Sequence, residues 1–184
     1  MANKVTLDAS DNEYTLERGI TRDQSGKIVT GVSARGGNDT LNLYASDGTT
    51  QIHAWGGAGR DVLNLSFGRE TGGTITQSSH GHHVRGDFDG GRSRGRDTFN
   101  FIDVDRVDNT IVGRIEDYDH SRDILMIEGT PIDKTRMEQF GHGTTNGWDW
   151  KIVEWAGDQL GETQQWLLID TDGGWIFYAL EGHV

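Results

Sequence analysis

The sequence contains no cysteine, a single proline and no long apolar segment. Without cysteine the chain cannot form disulfides or thiolate metal sites, so other interactions must stabilise its fold. No apolar run approaches the ~20 residues that a bilayer-spanning helix requires, and we expect no membrane span. The first residues lead into polar sequence without the apolar core of a cleavable export signal, so any export is expected to use another signal.

Positive charge is also scarce in this chain. Its 184 residues include 17 Lys and Arg against 29 Asp and Glu, which gives a net charge of −12. Such a chain repels phosphate backbones, and because the sequence has no basic stripe we expect no nucleic-acid partner. Hydrophobic residues make up only 33% of the chain, while glycine occurs 27 times. This composition favours partial disorder unless a multivalent cation neutralises the carboxylates.

A repeat of apolar residues runs through the first two thirds of the sequence. Leu41, Ile52 and Leu63 are 11 residues apart, and Ile75 follows after 12. Each lies in a short strand-like triplet followed by a turn rich in Gly, Asp or Ser. A fixed period of this kind is typical of stacked units, with two half-turns per coil, and predicts a parallel β-solenoid. The alternative is a set of antiparallel hairpins in a sandwich or barrel, which short strands at this spacing also fit.

The end of the chain has a different pattern. Asp133 is a candidate N-cap for a short helix from Lys134 to Phe140, which Gly141 is expected to end in a left-handed conformation. Antiparallel strands are predicted from Trp148 to Trp155, from Gln164 to Asp170 and from Trp175 to Leu180. The sequence therefore predicts an all-β fold in two parts, a parallel solenoid over residues 1–130 and a C-terminal antiparallel cap with one short helix over 131–184.

The sharpest local signal is the segment from Gly56 to Leu63, which matches the calcium-binding pattern G-G-x-G-x-D-x-U, where U is a large apolar residue. The glycines allow backbone conformations that turn carbonyl oxygens inward, and the aspartate adds a carboxylate. Calcium takes about six to eight oxygen ligands and tolerates irregular geometry. The half pattern G-x-D-x-U recurs from Gly37 to Leu41 and from Gly95 to Phe99. The calcium-binding residues predicted in these three turns are Gly37, Asp39, Gly57, Gly59, Asp61, Gly95 and Asp97.

These motifs resemble the repeats-in-toxin family, in particular the C-terminal region of serralysin-like secreted proteins. Asp97 to Phe101 is similar to the family's D-T-F-x-F segment, and Arg114 to Tyr118 followed by Asp123 to Ile127 is similar to its R-I-x-D-F-x-x-G-x-D-x-I-D-L segment. Ser121 and Met126 replace a glycine and an aspartate of that pattern. Leu167 to Gly173 resembles the family's last hairpin.

The resemblance implies a right-handed parallel β-roll that folds on Ca²⁺. It implies an extracellular protein exported by type I secretion machinery with an uncleaved C-terminal signal, and it adds Asp117 and Asp123 to the calcium loops. The family's coils contain about 18 residues. The motif aspartates here are 22 and 36 residues apart, so we expect one to a few calcium sites rather than a long row.

Other motifs have more than one interpretation. Asp87 and Asp89 are candidates to complete a calcium shell or to form an acidic surface turn. His80, His82 and His83 are candidate zinc or nickel ligands, although a solvated loop explains them as well. We expect no enzyme, because no nucleophile motif is present and nothing singles out one pair of carboxylates.

The sequence thus predicts a calcium-binding folding, export or spacer module of a secreted protein. The alternative is an extracellular polysaccharide-binding or adhesion module on the same solenoid, with tryptophans that stack on sugar rings. A fragment of a polysaccharide-processing enzyme is a third reading.

Overall fold

The computed structural model describes residues 4–16, 31–44, 52–66, 82–85, 95–102, 104, 108–137, 140–156, 163–171 and 173–183. Within these residues the chain is all-β with one short helix, and none of its helices is long and apolar enough to cross a membrane. The strands are β1 (Lys4–Thr6), β2 (Glu13–Leu16), β3 (Gly31–Ser33), β4 (Thr40–Tyr44), β5 (Ile52–Trp55), β6 (Val62–Ser66), β7 (His82–Arg85), β8 (Thr98–Ile102), β9 (Asp108–Asp119), β10 (Ile124–Ile127), β11 (Thr130–Pro131), β12 (His142–Thr145), β13 (Trp148–Ala156), β14 (Thr163–Thr171) and β15 (Gly173–His183), and the helix α1 is Lys134–Met137.

The strands form two sheets, and strands β1 to β10 alternate between them. The nine-stranded sheet has the order β1-β3-β5-β7-β9-β15-β14-β13-β12, and the six-stranded sheet has the order β11-β10-β8-β6-β4-β2. Strands β1 to β10 pair in parallel with the strand two positions along the chain. Strand β11 and the pairs among β12 to β15 are antiparallel, and β15 then pairs in parallel with β9. Both sheets are therefore mixed, which corrects the expectation of a purely parallel unit followed by a purely antiparallel cap.

The sequence period corresponds to the pairing in the six-stranded sheet. Leu41 of β4 lies opposite Leu63 of β6, 22 residues later, and Ile52 lies between them in β5 of the other sheet. Leu63 in turn lies opposite Phe99 of β8, although 36 residues separate the two. The register thus follows the strand motif and is independent of the length of the connection.

Both sheets contribute to the core, and in the six-stranded sheet the contribution comes from alternate residues of each strand. Successive side chains of a strand point to opposite faces, so every second residue of β4, β6 and β8 enters the core. Each fully buried leucine or phenylalanine contributes roughly 1.5–3 kcal/mol relative to an exposed one. The buried pairs, each at most 1% exposed, are Leu41 and Leu43, Leu63 and Leu65, Phe99 and Phe101, and Leu125 and Ile127.

The asparagines between these buried residues form a ladder on the other face of the sheet. The amide of Asn64 donates to Oδ1 of Asn42 at 2.8 Å, and the amide of Asn100 donates to Oδ1 of Asn64 at 3.0 Å. The backbone N–H of Gly129 closes the ladder on Oδ1 of Asn100 at 2.9 Å. Since each amide both donates and accepts, this asparagine ladder (Asn42, Asn64 and Asn100) holds neighbouring strands in one register.

The C-terminal elements lie close to their predicted positions, with one correction. Helix α1 begins after Asp133, whose Oδ1 accepts the backbone N–H of Thr135 at 3.0 Å, as the N-cap prediction requires. The prediction that Gly141 adopts the left-handed conformation is wrong, because Phe140 has the positive φ, at 52°, instead. A β-carbon at Gly141 would overlap the carbonyl oxygen of Arg136, so this glycine is needed for a close backbone approach.

Replacing Asn64 by alanine is expected to lower the free energy of unfolding by about 1–3 kcal/mol, since two good ladder hydrogen bonds are lost. Asn42→Ala is the matched control. This substitution also removes the hydrogen bond that Asn64 donates to Asn42. The other hydrogen bond of Asn42, to Thr15 Oγ1, is long, at 3.4 Å, so the loss of unfolding free energy should be smaller than for Asn64→Ala. Urea unfolding followed by tryptophan fluorescence measures both, and equal costs would contradict the ladder.

Candidate functional site

Four of the predicted aspartates come together at one corner of the molecule. Each is the residue immediately before a strand of the six-stranded sheet, namely β4, β6, β8 or β10. Because these strands are in register, the four residues lie above one another along the stack. We call this set the aspartate column; it consists of Asp39, Asp61, Asp97 and Asp123.

Each carboxylate of the aspartate column accepts the backbone N–H of the preceding repeat. Asn12, which precedes β2, starts the series, and its side-chain amide also donates to Asp39 Oδ1 at 3.1 Å. The backbone bonds are Asn12 N to Asp39 Oδ1 at 2.8 Å, Asp39 N to Asp61 Oδ1 at 3.0 Å, Asp61 N to Asp97 Oδ1 at 2.9 Å and Asp97 N to Asp123 Oδ1 at 3.1 Å.

A second set of hydrogen bonds runs in the opposite direction at the same position. The first N–H of each strand donates to the carbonyl oxygen of the aspartate one repeat earlier. Asp39, Asp61 and Asp97 therefore each donate their N–H to the following repeat and also accept an N–H from it. The N–H of Asp123, the last member, donates to the carbonyl oxygen of Asp119 within its own turn. The main-chain bonds are Val62 N to Asp39 O at 2.8 Å, Thr98 N to Asp61 O at 2.7 Å and Ile124 N to Asp97 O at 2.8 Å.

The column is buried, which is unusual for ionisable side chains. Asp39, Asp61, Asp97 and Asp123 are 1%, 0%, 1% and 2% exposed. Burial raises the pKa of the Asp39 carboxyl, and repulsion from Asp11 and Asp8 raises it further. The hydrogen bonds from Asn12 lower this pKa but do not reverse the increase. Burial likewise raises the pKa of the Asp123 carboxyl. Ionised carboxylates in this column therefore oppose folding unless a cation compensates them.

The two ends of the column differ in how their second carboxylate oxygens are satisfied. At one end, Asp123 Oδ2 accepts the backbone N–H of Asp119 at 2.8 Å. At the other end, Asp39 Oδ2 is buried and accepts no hydrogen bond from the described residues. An unsatisfied buried carboxylate oxygen costs free energy. Among the described residues no three His, Asp or Glu side chains converge as a metal-binding group.

The predicted glycines allow the turns before the column to stack. Gly37, Gly57 and Gly59 have φ values of 111°, 94° and 145°, which favour glycine. A β-carbon on Gly59 would overlap the carbonyl oxygen of Gly37 in the adjacent turn, and one on Gly56 would overlap the carboxylate of Asp61. The glycines are therefore explained by turn packing as well as by metal binding.

Backbone hydrogen bonds join the two central turns directly. Gly37 N donates to Ala58 O at 3.0 Å, and Ala58 N donates to Arg35 O at 3.0 Å. The carbonyl oxygens of Ala58 and Arg35 thus link the two turns through the backbone.

Two further turns of the column lack glycine. The first was not predicted from the sequence, and the last was included only through the family resemblance that added Asp123. In the first, Asp8 Oδ1 accepts the N–H and hydroxyl of Ser10, and these bonds lower the pKa of Asp8. In the last, Asp119 Oδ1 accepts the same two groups of Ser121. The Ser121 hydroxyl and the Arg122 guanidinium lower the pKa of Asp119 to about 2. The shared pattern Asp-x-Ser-x-Asn/Asp was the available signal, because serine and aspartate side chains can replace a glycine turn.

The remaining predicted site residues contribute less. Gly95 lies two residues before Asp97, as the half pattern requires. Asp117 belongs to β9 in the other sheet and precedes by two residues the turn that runs from Asp119 to Asp123. Asp87 and Asp89 lie outside the described residues.

Comparisons of the chain with protein-family models, curated proteins and solved structures found no match.

We expect a pH dependence that follows from the raised pKa values of the column. A carboxyl whose pKa is higher in the folded state stabilises the fold below its ordinary pKa of 3.8, and this contribution is lost as pH rises through the folded-state value. Asp119 acts oppositely, since its contribution is lost as pH falls towards about 2. In EDTA, the free energy of unfolding should therefore fall as the pH rises above 3.8.

Urea unfolding at several pH values measures this dependence. Asp39→Asn should flatten it, because the amide oxygen still accepts the N–H but does not ionise. Asp149→Asn, at an exposed position, is the control and should leave the slope unchanged. A stability that rises as the pH increases above 3.8 would contradict the role of the column.

Gly59→Ala should destabilise the protein by more than about 3 kcal/mol, since a β-carbon combines an unfavourable φ with overlap of the next turn. Gly129→Ala is the matched control. Its φ is 77°, but no atom lies within 4 Å of the added carbon, so only about 1 kcal/mol is expected. Thermal unfolding by circular dichroism distinguishes the two, and similar melting temperatures would contradict close stacking of the turns.

Proposed function

We propose that this chain is a calcium-binding module of the repeats-in-toxin type, a right-handed parallel β-solenoid that folds on calcium after type I secretion. It serves as a folding, export or spacer domain of an extracellular protein. The observation that carries the proposal is the aspartate column, with four buried carboxylates and one unsatisfied oxygen on Asp39.

The donor atoms support a hard divalent cation. Carboxylate and carbonyl oxygens are the ligands that calcium prefers, and the chain offers no cysteine that would favour a softer metal. The carboxylates of Asp8 and Asp11 add negative potential near Asp39, which raises the pKa of its carboxyl and attracts cations. The proposed ion lies at this end of the column, where Asp39 Oδ2 and turn carbonyl oxygens are its ligands.

The energetics explain how such a module responds to its surroundings. At low calcium the buried carboxylates oppose folding, whereas outside the cell millimolar calcium compensates them. Extracellular calcium modules have Kd values of ~10⁻⁴ to 10⁻³ M. At about ten times Kd, one site adds about 1.4 kcal/mol of stability by mass action. The uncleaved secretion signal is proposed to lie in the C-terminal strands.

The test is thermal unfolding of the EDTA-treated protein with added calcium at constant ionic strength. The wild-type melting temperature should rise by about 3–6 °C in ~10 mM calcium, given one site of millimolar affinity in a chain of this length. Asp39→Asn should lose most of this increase, whereas Asp149→Asn should retain it.

Magnesium is the second comparison, because it requires regular octahedral geometry and dehydrates reluctantly. It should raise the melting temperature of the wild type less than calcium does. Equal effects of the two ions, or equal responses of the two variants, would show that added salt only screens charge, and the calcium proposal would then fail.

A further inference from the structure

A basic cleft lies beside the turns that precede β6, β8 and β10. It has a volume of about 460 Å³ and is lined by Arg60, Gly95, Arg96, Ser121, Arg122 and Lys134. We call it the arginine cleft. Four cationic side chains share this space, although the whole chain has only 17 Lys and Arg and a net charge of −12. A cluster of this kind has to overcome mutual repulsion, so a counter-charge would stabilise it.

The three arginines occupy the same position in successive repeats. Each directly precedes an aspartate of the column, so Arg60, Arg96 and Arg122 follow the register of β6, β8 and β10. Strands in a sheet lie ~4.8 Å apart. The backbone positions of the three arginines therefore form a regular row along the stacking direction. Such a row suits a ligand whose negative charges repeat at regular intervals.

Contacts with the protein position three of the four cationic groups. Arg122 forms an ion pair with Asp119, with 2.7 Å between Nη2 and Oδ2. Arg96 Nε donates to the carbonyl oxygen of Arg122 at 3.1 Å. Lys134 Nζ donates to the carbonyl oxygen of His120 at 2.7 Å. Anchoring of this kind lowers the entropy lost when a ligand binds.

Within the described part of the chain, Asp119 pairs with Arg122, whereas two of the cleft arginines have no carboxylate partner. Arg60 and Arg96 are exposed and form no ion pair with a carboxylate there. Burial lowers the pKa of the Lys134 ammonium, and the charge of Arg96 adds to this decrease, whereas the carboxylates of Asp123 and Asp119 oppose it. The cleft thus keeps donor groups available for an anion.

The lining distinguishes between classes of polyanion. Guanidinium groups match carboxylates with two parallel hydrogen bonds. Among the described residues that line the cleft none is aromatic, so these residues provide no stacking surface of the kind that single-stranded nucleic acids use. None is a large apolar residue that would insert into a membrane. A linear chain with one carboxylate on each sugar satisfies the row of donors without either feature.

We propose that the arginine cleft binds an acidic polysaccharide of the uronate class, with successive carboxylates on Arg60, Arg96 and the neighbouring Lys134. This inference does not depend on the calcium proposal, because none of the cleft residues belongs to the aspartate column.

Isothermal titration of the full chain with a hexamer of galacturonic acid tests the proposal at about 20 mM salt. Binding should weaken roughly five-fold in Arg60→Gln and in Arg96→Gln, and more in the double variant, since each change removes one charge-assisted contact. Arg136→Gln is the matched control, because it removes the same charge at an exposed position of α1 outside the cleft. It should bind like the wild type, and added salt should weaken binding throughout.

Melting temperatures of the variants check that each is folded. A neutral glucose hexamer should show no binding. The proposal is overturned if the galacturonate hexamer does not bind, or if Arg136→Gln weakens binding as much as the double variant. It is also overturned if a single-stranded oligonucleotide or phosphatidylserine vesicles bind more tightly than the galacturonate hexamer. A calcium titration that fails while this one succeeds would reject the calcium proposal alone.

Discussion

The reciprocal hydrogen bonding between successive aspartates is the constraint on which this fold depends. A parallel strand pair has no short turn to set its register, so something else must align each strand with the previous one. Here the aspartate before each strand donates its N–H to the next carboxylate, while its own carbonyl accepts the first N–H of the next strand. The asparagine ladder repeats this alignment within the strands. Both sets of bonds specify the same register.

This arrangement separates the alignment of the strands from the length of the connections. The aspartates are 22, 36 and 26 residues apart, yet adjacent carboxylates accept equivalent bonds at 2.9–3.1 Å. A loop of extra residues adds closure entropy that grows only slowly with length. The alignment depends on a short motif of polar and apolar residues at each strand, which is why long insertions between repeats are tolerated.

Much of the fold could be predicted from that motif, whereas the role of its aspartates could not. The spacing of Leu41 and Leu63 indicates the stacking, and the Gly-x-Asp turns identify three members of the column. The first repeat was missed because its turn has Ser10 in place of glycine, although Tyr14 and Leu16 keep the apolar positions. The pattern also cannot tell a carboxylate that binds metal from one that accepts a backbone N–H, because both uses need the same aspartate beside a tight turn.

The position before each aspartate shows how fold and surface chemistry can vary separately. Asp11 and Asn38 occupy it in the early repeats, and their side-chain oxygens accept backbone N–H groups of the next turn at 2.7 and 3.0 Å. Arginine has donors only, so from Arg60 onward this series of bonds cannot continue.

The later turns do not need that series, because the aspartate column already aligns them. The arginine side chains then project from the same position into a common cleft, so the acidic character of the first turns changes to a basic one along the stack. A single repeating backbone can therefore present a cation-attracting end and an anion-attracting end. At the basic end, the charge comes from arginine side chains that are not required for strand register.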